Sequence, residues 1–228
     1  MIHVERYGSG RPLLFIHGAG STTLVWRFQQ KQLSDRFETV LVDLPGHGKS
    51  PGDGCDTIEA YGRAVVEAMD FGSIDRPVVV GHSMGGAIAM HLALTRPSAL
   101  SGLVLVGTGA KLAVLPAILD GILKEKEKTC RMIIDYVFSP KAPIPMKEAS
   151  YDEYVKTDAA VIHADFTACN GFDVRASLKD IGLPTLILCG TDDRMTPPKY
   201  AEYLRDHIGG SSLRLIGDAG HMPMVEQP

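Results

Sequence analysis

A chain of 228 residues, 45% hydrophobic and 22% charged, is long enough to bury a large core, and it fits one domain carrying an insertion better than two independent domains. A net charge of −4 leaves no electrostatic footprint for nucleic acid, and no stretch approaches the roughly 20 apolar residues that a membrane span requires. The opening Met1-Ile2-His3-Val4-Glu5-Arg6 lacks the apolar centre of a signal peptide, so the expected location is the cytoplasm, with Cys55, Cys130, Cys169 and Cys189 as free thiols rather than disulfides or a zinc site.

Val4-Glu5-Arg6-Tyr7 alternates before Gly8-Ser9-Gly10 and predicts a short edge strand and a turn. Pro12 to Ile16 is continuously apolar, a buried strand that runs into the loop His17-Gly18-Ala19-Gly20-Ser21. Glycines there let backbone N–H groups face a ligand, although a plain strand-to-helix turn has the same composition. Thr22 to Leu33, with Trp26 and Phe28, predicts an amphipathic helix, and Thr39 to Val42 a strand ending in Asp43-Leu44-Pro45-Gly46-His47-Gly48-Lys49-Ser50. His47, in a Pro/Gly turn, is expected to hold loop backbone rather than to act as a base. A helix over Ile58 to Phe71 leads to the run Pro77-Val78-Val79-Val80.

That run enters Gly81-His82-Ser83-Met84-Gly85-Gly86, a G-x-S-x-G sequence between a β-branched strand and an Ala/Ile/Met/Leu helix. A serine at such a turn is pushed out at the strand's carboxyl end, and the helix behind it aims its N-terminal N–H groups at the same spot. His82 is expected to pack and shape the turn rather than to take part in chemistry. Pro97 closes the helix, and Leu103 to Val106 is a further buried strand. Buried strands separated by helices predict a mostly parallel, twisted sheet covered on both faces.

From Ala110 to Gly182 the pattern changes to helices alone, over Leu115 to Glu127, Thr129 to Phe138 and beyond a Pro-rich turn at Ser139 to Pro145. A parallel crossover needs only about a dozen residues, so this stretch is an insertion. Leaving from a strand's carboxyl end, it predicts a helical lid over Ser83. The run Lys124-Glu125-Lys126-Glu127-Lys128 is expected as a solvated helix face. The sheet resumes at Pro184 to Cys189, followed by Asp192 and Asp193 at the strand end, a helix over Pro198 to His207, a strand over Leu213 to Ile216, and Gly220-His221. His3, His91, His163 and His207 have no chemical constellation around them.

A serine, a carboxylate and a histidine in that chain order, each just past a buried strand, would meet at one edge of the sheet. These pieces resemble the α/β-hydrolase superfamily, the lidded serine-carboxylesterase-like branch. The likeness is carried by His17-Gly18-Ala19-Gly20, Asp43 to Ser50, Gly81 to Gly86, Gly190 to Pro197 and Gly220-His221. It implies an α/β-hydrolase core over 1–109 and 183–228, with a lid over 110–182 inserted after the sixth strand. It also implies a final helix after the last segment, whose absence past Pro228 would leave an apolar surface open beside the last strand. The family's spacing selects Asp193 over Asp192.

A serine hydroxyl needs a base to take its proton, histidine titrates near neutral pH, and a carboxylate fixes the imidazole's tautomer. The resemblance therefore implies Ser83 as nucleophile, His221 as base, Asp193 as its orienter, and the backbone N–H groups of Ala19 and Met84 as the oxyanion hole. It implies a small-molecule ester as substrate, with no cofactor and no metal. Trp26, Leu119, Met132 and Phe138 are the expected pocket wall, with Leu115, Ile118 and Ile133 nearby. Arg131 and Arg175 are the candidates for an anionic substrate group. A thioesterase, a lactonase or a C–C bond hydrolase would use the same triad, and a non-catalytic ligand-binding module is the alternative from another class. No feature bears on oligomeric state.

Overall fold

The computed structural model describes residues Met1–Pro228. Its seven strands are β1 (Val4–Tyr7), β2 (Pro12–Ile16), β3 (Glu38–Val42), β4 (Val78–His82), β5 (Gly102–Val106), β6 (Thr185–Gly190) and β7 (Ser212–Ile216), joined in the order β1-β3-β2-β4-β5-β6-β7. Only β1 is antiparallel, against β3; all the other pairings are parallel. The helices outside the insertion are α1 (Arg27–Leu33), α2 (Ile58–Phe71), α3 (Met84–Thr95), α8 (Pro198–His207) and α9 (Pro223–Glu226).

Strand residues alternate between two apolar layers, as the period of two requires. Leu14, Ile16, Val40, Val42, Val79, Leu103, Leu105 and Ile187 pack in the larger layer with α2, α3 and α8. Phe15, Leu41, Val80 and Val106 face the other way, against Trp26 and Met224 from the α1 and α9 side. Helices cover both faces, which is why β2 to β6 carry near-continuous apolar runs, such as Leu13–Ile16, Val40–Val42 and Leu103–Val106. β7 is the far edge, where Leu215 is exposed. The Thr22 to Leu33 stretch is split into a 3₁₀ turn at Thr23–Trp26 and then α1, which lets Trp26 drop into the sheet face.

The insertion holds α4 (Pro116–Lys124), α5 (Lys126–Val137), α6 (Ile144–Tyr154) and α7 (Ala159–Gly171), and it lies between β5 and β6. It therefore follows the fifth strand in the chain, not the sixth, since only β1 to β5 precede it. Ile118 and Ile122 on α4 meet Cys130, Ile133, Ile134 and Val137 on α5 in a core of the insertion's own. To bring both stripes onto one core the chain turns at Glu125, whose φ of −141° and ψ of 59° leave helical space. Lys124 to Lys128 thus straddles a corner instead of lining one helix face. No helix is long and apolar enough to cross a membrane.

Candidate active site

The direction of strand addition reverses between β2 and β4, which are neighbours although β3 lies between them in the chain. The loops leaving such a pair at their carboxyl ends separate and open a crevice. His17 to Ser21 leaves β2 on one side of it, and Ser83 leaves β4 on the other. A Cβ added to Gly18 would lie 3.2 Å from Ser83 Cβ, so the glycine loop rests directly on the serine. Asp193 follows β6 and His221 follows β7, so both stand at the same edge of the sheet.

Ser83 has φ 53° and ψ −113°, a region that non-glycine residues avoid at a cost of about 1–3 kcal/mol. Its surroundings over-determine that conformation. The Ser83 N–H donates to the Val106 carbonyl at 2.9 Å, while the Ser83 carbonyl accepts from Gly86 N–H at 2.9 Å and from Thr108 Oγ1 at 2.8 Å. Side chains at Gly81 or Gly85 would run into main chain, of Gly85 and of Ile16 and His17 respectively. The two glycines of G-x-S-x-G are thus demanded by close packing of β2, β4 and α3. Met84 opens α3, so its N–H has no carbonyl within the helix to bond.

His221 Nδ1 lies 2.9 Å from Asp193 Oδ2, with both side chains buried. Asp193 accepts three further hydrogen bonds, from Met195 N–H at 2.9 Å, Thr196 N–H at 2.8 Å and Thr196 Oγ1 at 2.9 Å. Burial works to raise the Asp193 pKa, but the imidazole, its hydrogen bond and the Thr196 donors outweigh it, and the group sits below the usual carboxylate range. A charged carboxylate at Nδ1 keeps the proton on that nitrogen and leaves Nε2 as the free base. Asp192 takes no part in the pair; it accepts from Ser139 Oγ at 2.6 Å. His82 Nε2 donates to the His221 carbonyl at 2.9 Å, and burial pushes its pKa down to about 3, so it is a neutral brace for the His221 loop.

Ser83, His221 and Ala19 line one cavity of about 50 Å³ with Leu112, Ala113, Val114, Phe166, Cys169, Met195, Thr196 and Tyr200. A larger polar cleft of about 570 Å³, between Arg27, Lys49 and Lys156, includes neither Ser83, Asp193 nor His221. Trp26, Leu119, Met132 and Phe138, expected at the pocket wall, do not line the cavity. Trp26 lies in the sheet face opposite the larger core layer, 5.2 Å from the Phe15 ring centroid. Phe138, Leu119 and Met132 are spent on the insertion's own core, with Ile118 and Ile133, and Leu115 is exposed. Arg131 and Arg175 pair with Glu148 and Asp173 at the surface.

The wall comes instead from the segment leaving β5, one face of α7 and the start of α8. In α7, Phe166 and Cys169 are three residues apart and share a helix face, a signal present in the sequence but indistinguishable there from ordinary core spacing. His47 does hold loop backbone, through Nδ1 to the Pro45 carbonyl at 3.0 Å, but its Nε2 also reaches Asp165 on α7 at 2.8 Å, a partner not foreseen.

A mostly parallel seven-stranded sheet with a strained serine after β4 and a His–Asp pair beyond β7 and β6 defines the α/β-hydrolase class. The profile of the alpha/beta hydrolase family matches residues 13–228, and the chain belongs to that family. It is 26% identical to the pimeloyl-[acyl-carrier protein] methyl ester esterase of Nitrosomonas europaea, over 100% of this chain and 95% of that protein. Among solved structures it is similar to a thermophilic esterase, at 33% identity and a TM-score of 0.86 over 99% of this chain and 93% of that one. It is also similar to a thermophilic esterase from Thermogutta terrifontis, at 26% identity and a TM-score of 0.90 over 100% of this chain and 88% of that one.

Proposed function

We propose that this hydrolase is a serine carboxylesterase that cleaves small-molecule esters of short, apolar acids through an acyl-enzyme on Ser83. His221 Nε2 takes the Ser83 proton as Oγ adds to the ester carbonyl, then returns it to the departing alcohol. Asp193 holds the Nδ1–H tautomer and balances the imidazolium. The backbone N–H groups of Met84 and Ala19 receive the charge that develops on the carbonyl oxygen. The same base then activates water to release the acid. The insertion acts as a lid, supplying Phe166 and Cys169 to the acyl side of the cavity.

The observation that carries this reading is the buried His221–Asp193 pair, 2.9 Å apart, opening onto the cavity it shares with the strained Ser83. Eight of the eleven lining residues are hydrophobic, which suits an acyl group without charge.

The test is stopped-flow release of p-nitrophenol from p-nitrophenyl butyrate, with labelling by a fluorophosphonate. The expected result is a burst and one label per chain, both lost in Ser83→Ala. An undiminished Ser83→Ala rate would refute the assignment, and a wild-type protein showing neither burst nor label would refute the enzyme.

A further inference from the structure

Ala19 and Gly20 are the central residues of a four-residue turn closed by Ser21 N–H donating to the Gly18 carbonyl at 3.2 Å. Gly20 has φ +67°, and a positive φ at the third position of such a turn is the signature of type II. Glycine at that position favours type II, so the turn's own sequence accounts for its shape. The Ala19 N–H belongs to the preceding Gly18–Ala19 peptide, and its placement beside Ser83 depends on where the whole turn is held.

The hold comes from the insertion. Asp165, fully buried on α7, accepts the Gly20 N–H on Oδ2 at 2.7 Å. Thr157, in the turn between α6 and α7, donates Oγ1 to the Gly20 carbonyl at 3.0 Å. The Tyr154 ring lies where a Gly20 side chain would be. Gly20 is therefore held at its N–H, its carbonyl and its Cα by three residues of one segment. Asp165 is itself locked, with His47 Nε2 at 2.8 Å on Oδ2 and the Tyr61 hydroxyl donating to Oδ1. Both His47 nitrogens face acceptors, the second being the Pro45 carbonyl, so the imidazole is charged and anchors the carboxylate.

We infer that Asp165, assisted by Thr157, is a positioning residue for the oxyanion hole: from the helical insertion it anchors Gly20 and so fixes the position of the Gly18–Ser21 turn, whose second residue presents the Ala19 N–H. This rests on the reading of Ala19 as an oxyanion donor. It makes docking of the insertion a condition for transition-state stabilisation, beyond its contribution to the pocket wall.

The experiment compares Asp165→Ala, Asp165→Asn and Thr157→Val with wild type in full-length protein whose near-ultraviolet circular dichroism is unchanged. Each is assayed for kcat and KM on p-nitrophenyl butyrate and for inhibition by an alkyl trifluoromethyl ketone, whose adduct places an oxyanion in the hole. Loss of one oxyanion donor lowers kcat by about 100- to 1000-fold in enzymes where it has been measured, so a misdirected one should cost about tenfold or more. For Asp165→Ala the expected result is that loss, KM within about threefold, and ketone affinity weakened by the same factor as kcat/KM. Asp165→Asn keeps an acceptor oxygen and should recover most of kcat. Thr157→Val should move in the same direction by a smaller factor.

A folded Asp165→Ala with wild-type kcat, or with a loss confined to KM or unaccompanied by weaker ketone binding, would overturn the inference. If that variant does not fold, because it leaves His47 charged and unpaired, Thr157→Val decides, and an unchanged kcat there overturns it. Ser83→Ala separates this outcome from failure of the esterase reading, since that variant abolishes activity whatever the turn does.

Discussion

Replacing Gly107 with alanine tests how finely the His221–Asp193 pair is placed. Gly107 follows β5 with φ +51°, and a Cβ there would stand 3.0 Å from the His221 carbonyl oxygen, 3.3 Å from His221 Nδ1 and 3.5 Å from Asp193 Oδ2. The left-handed backbone costs a non-glycine residue about 1–2 kcal/mol, of which about 0.4–1 kcal/mol is returned by the stiffer unfolded chain. The net loss, about 1 kcal/mol, corresponds to a fall of about 2–4 °C in Tm for a chain of this size. Two of the three contacts are tight enough to demand a shift of a few tenths of an ångström, and both belong to His221, so relief moves the imidazole. A 1 Å misplacement costs about 100-fold in rate, so a shift of this size should lower kcat by roughly three- to tenfold with KM little changed.

Gly210→Ala supplies the control. Its φ of +72° carries the same backbone strain, but nothing lies within 4 Å of its Cβ position. Differential scanning calorimetry and p-nitrophenyl butyrate kinetics on both variants should give similar falls in Tm and a loss of kcat for Gly107→Ala alone. A wild-type kcat in Gly107→Ala, or equal losses in the two variants, would refute the geometric reasoning.

Burial lowers the His47 pKa, but the Asp165 carboxylate, its hydrogen bond, the Pro45 carbonyl and Asp43 outweigh burial and raise it above its ordinary value. The stabilisation from His47 is therefore complete below the unfolded value of about 6.5 and is lost as pH rises through the raised folded value. The Tm advantage of wild type over His47→Gln should shrink between pH 6 and pH 9, and an advantage that stays constant or grows would refute the charged pair. Phe166 walls the cavity and is buried, so Phe166→Leu should raise the ratio of kcat/KM for p-nitrophenyl hexanoate over acetate by about tenfold, the worth of roughly one methylene in an apolar pocket. An unchanged chain-length profile would put the acyl group elsewhere.

Local pattern was enough for the strands, the elbow and the chain order of Ser83, Asp193 and His221. β-branched runs bounded by Pro and Gly report burial on both faces, and a glycine two residues before and after Ser83 reports a turn that only tight packing requires. The His221–Asp193 pair was legible for the same reason, since each residue stands a few positions past a strand whose direction the pattern implies. The helical character of 110–182 was also legible, but the use of its faces was not. Apolar spacing says that a helix buries a stripe and is silent on what the stripe buries against, so Leu119, Met132 and Phe138 read equally well as pocket wall, whereas in the fold they close the insertion's own core.

The tertiary structure decided the rest, because it depends on segments far apart in the chain. Phe166 and Cys169 reach Ser83 only through the way α7 crosses the sheet's carboxyl edge. Gly107 touches His221 because β5 neighbours β6 and β6 neighbours β7. Asp165, an acid on a buried helix face, has no local reason to be there. Its reason lies 145 residues earlier at the Gly20 N–H and 118 residues earlier at His47, where a buried carboxylate finds the donors that make its burial tolerable.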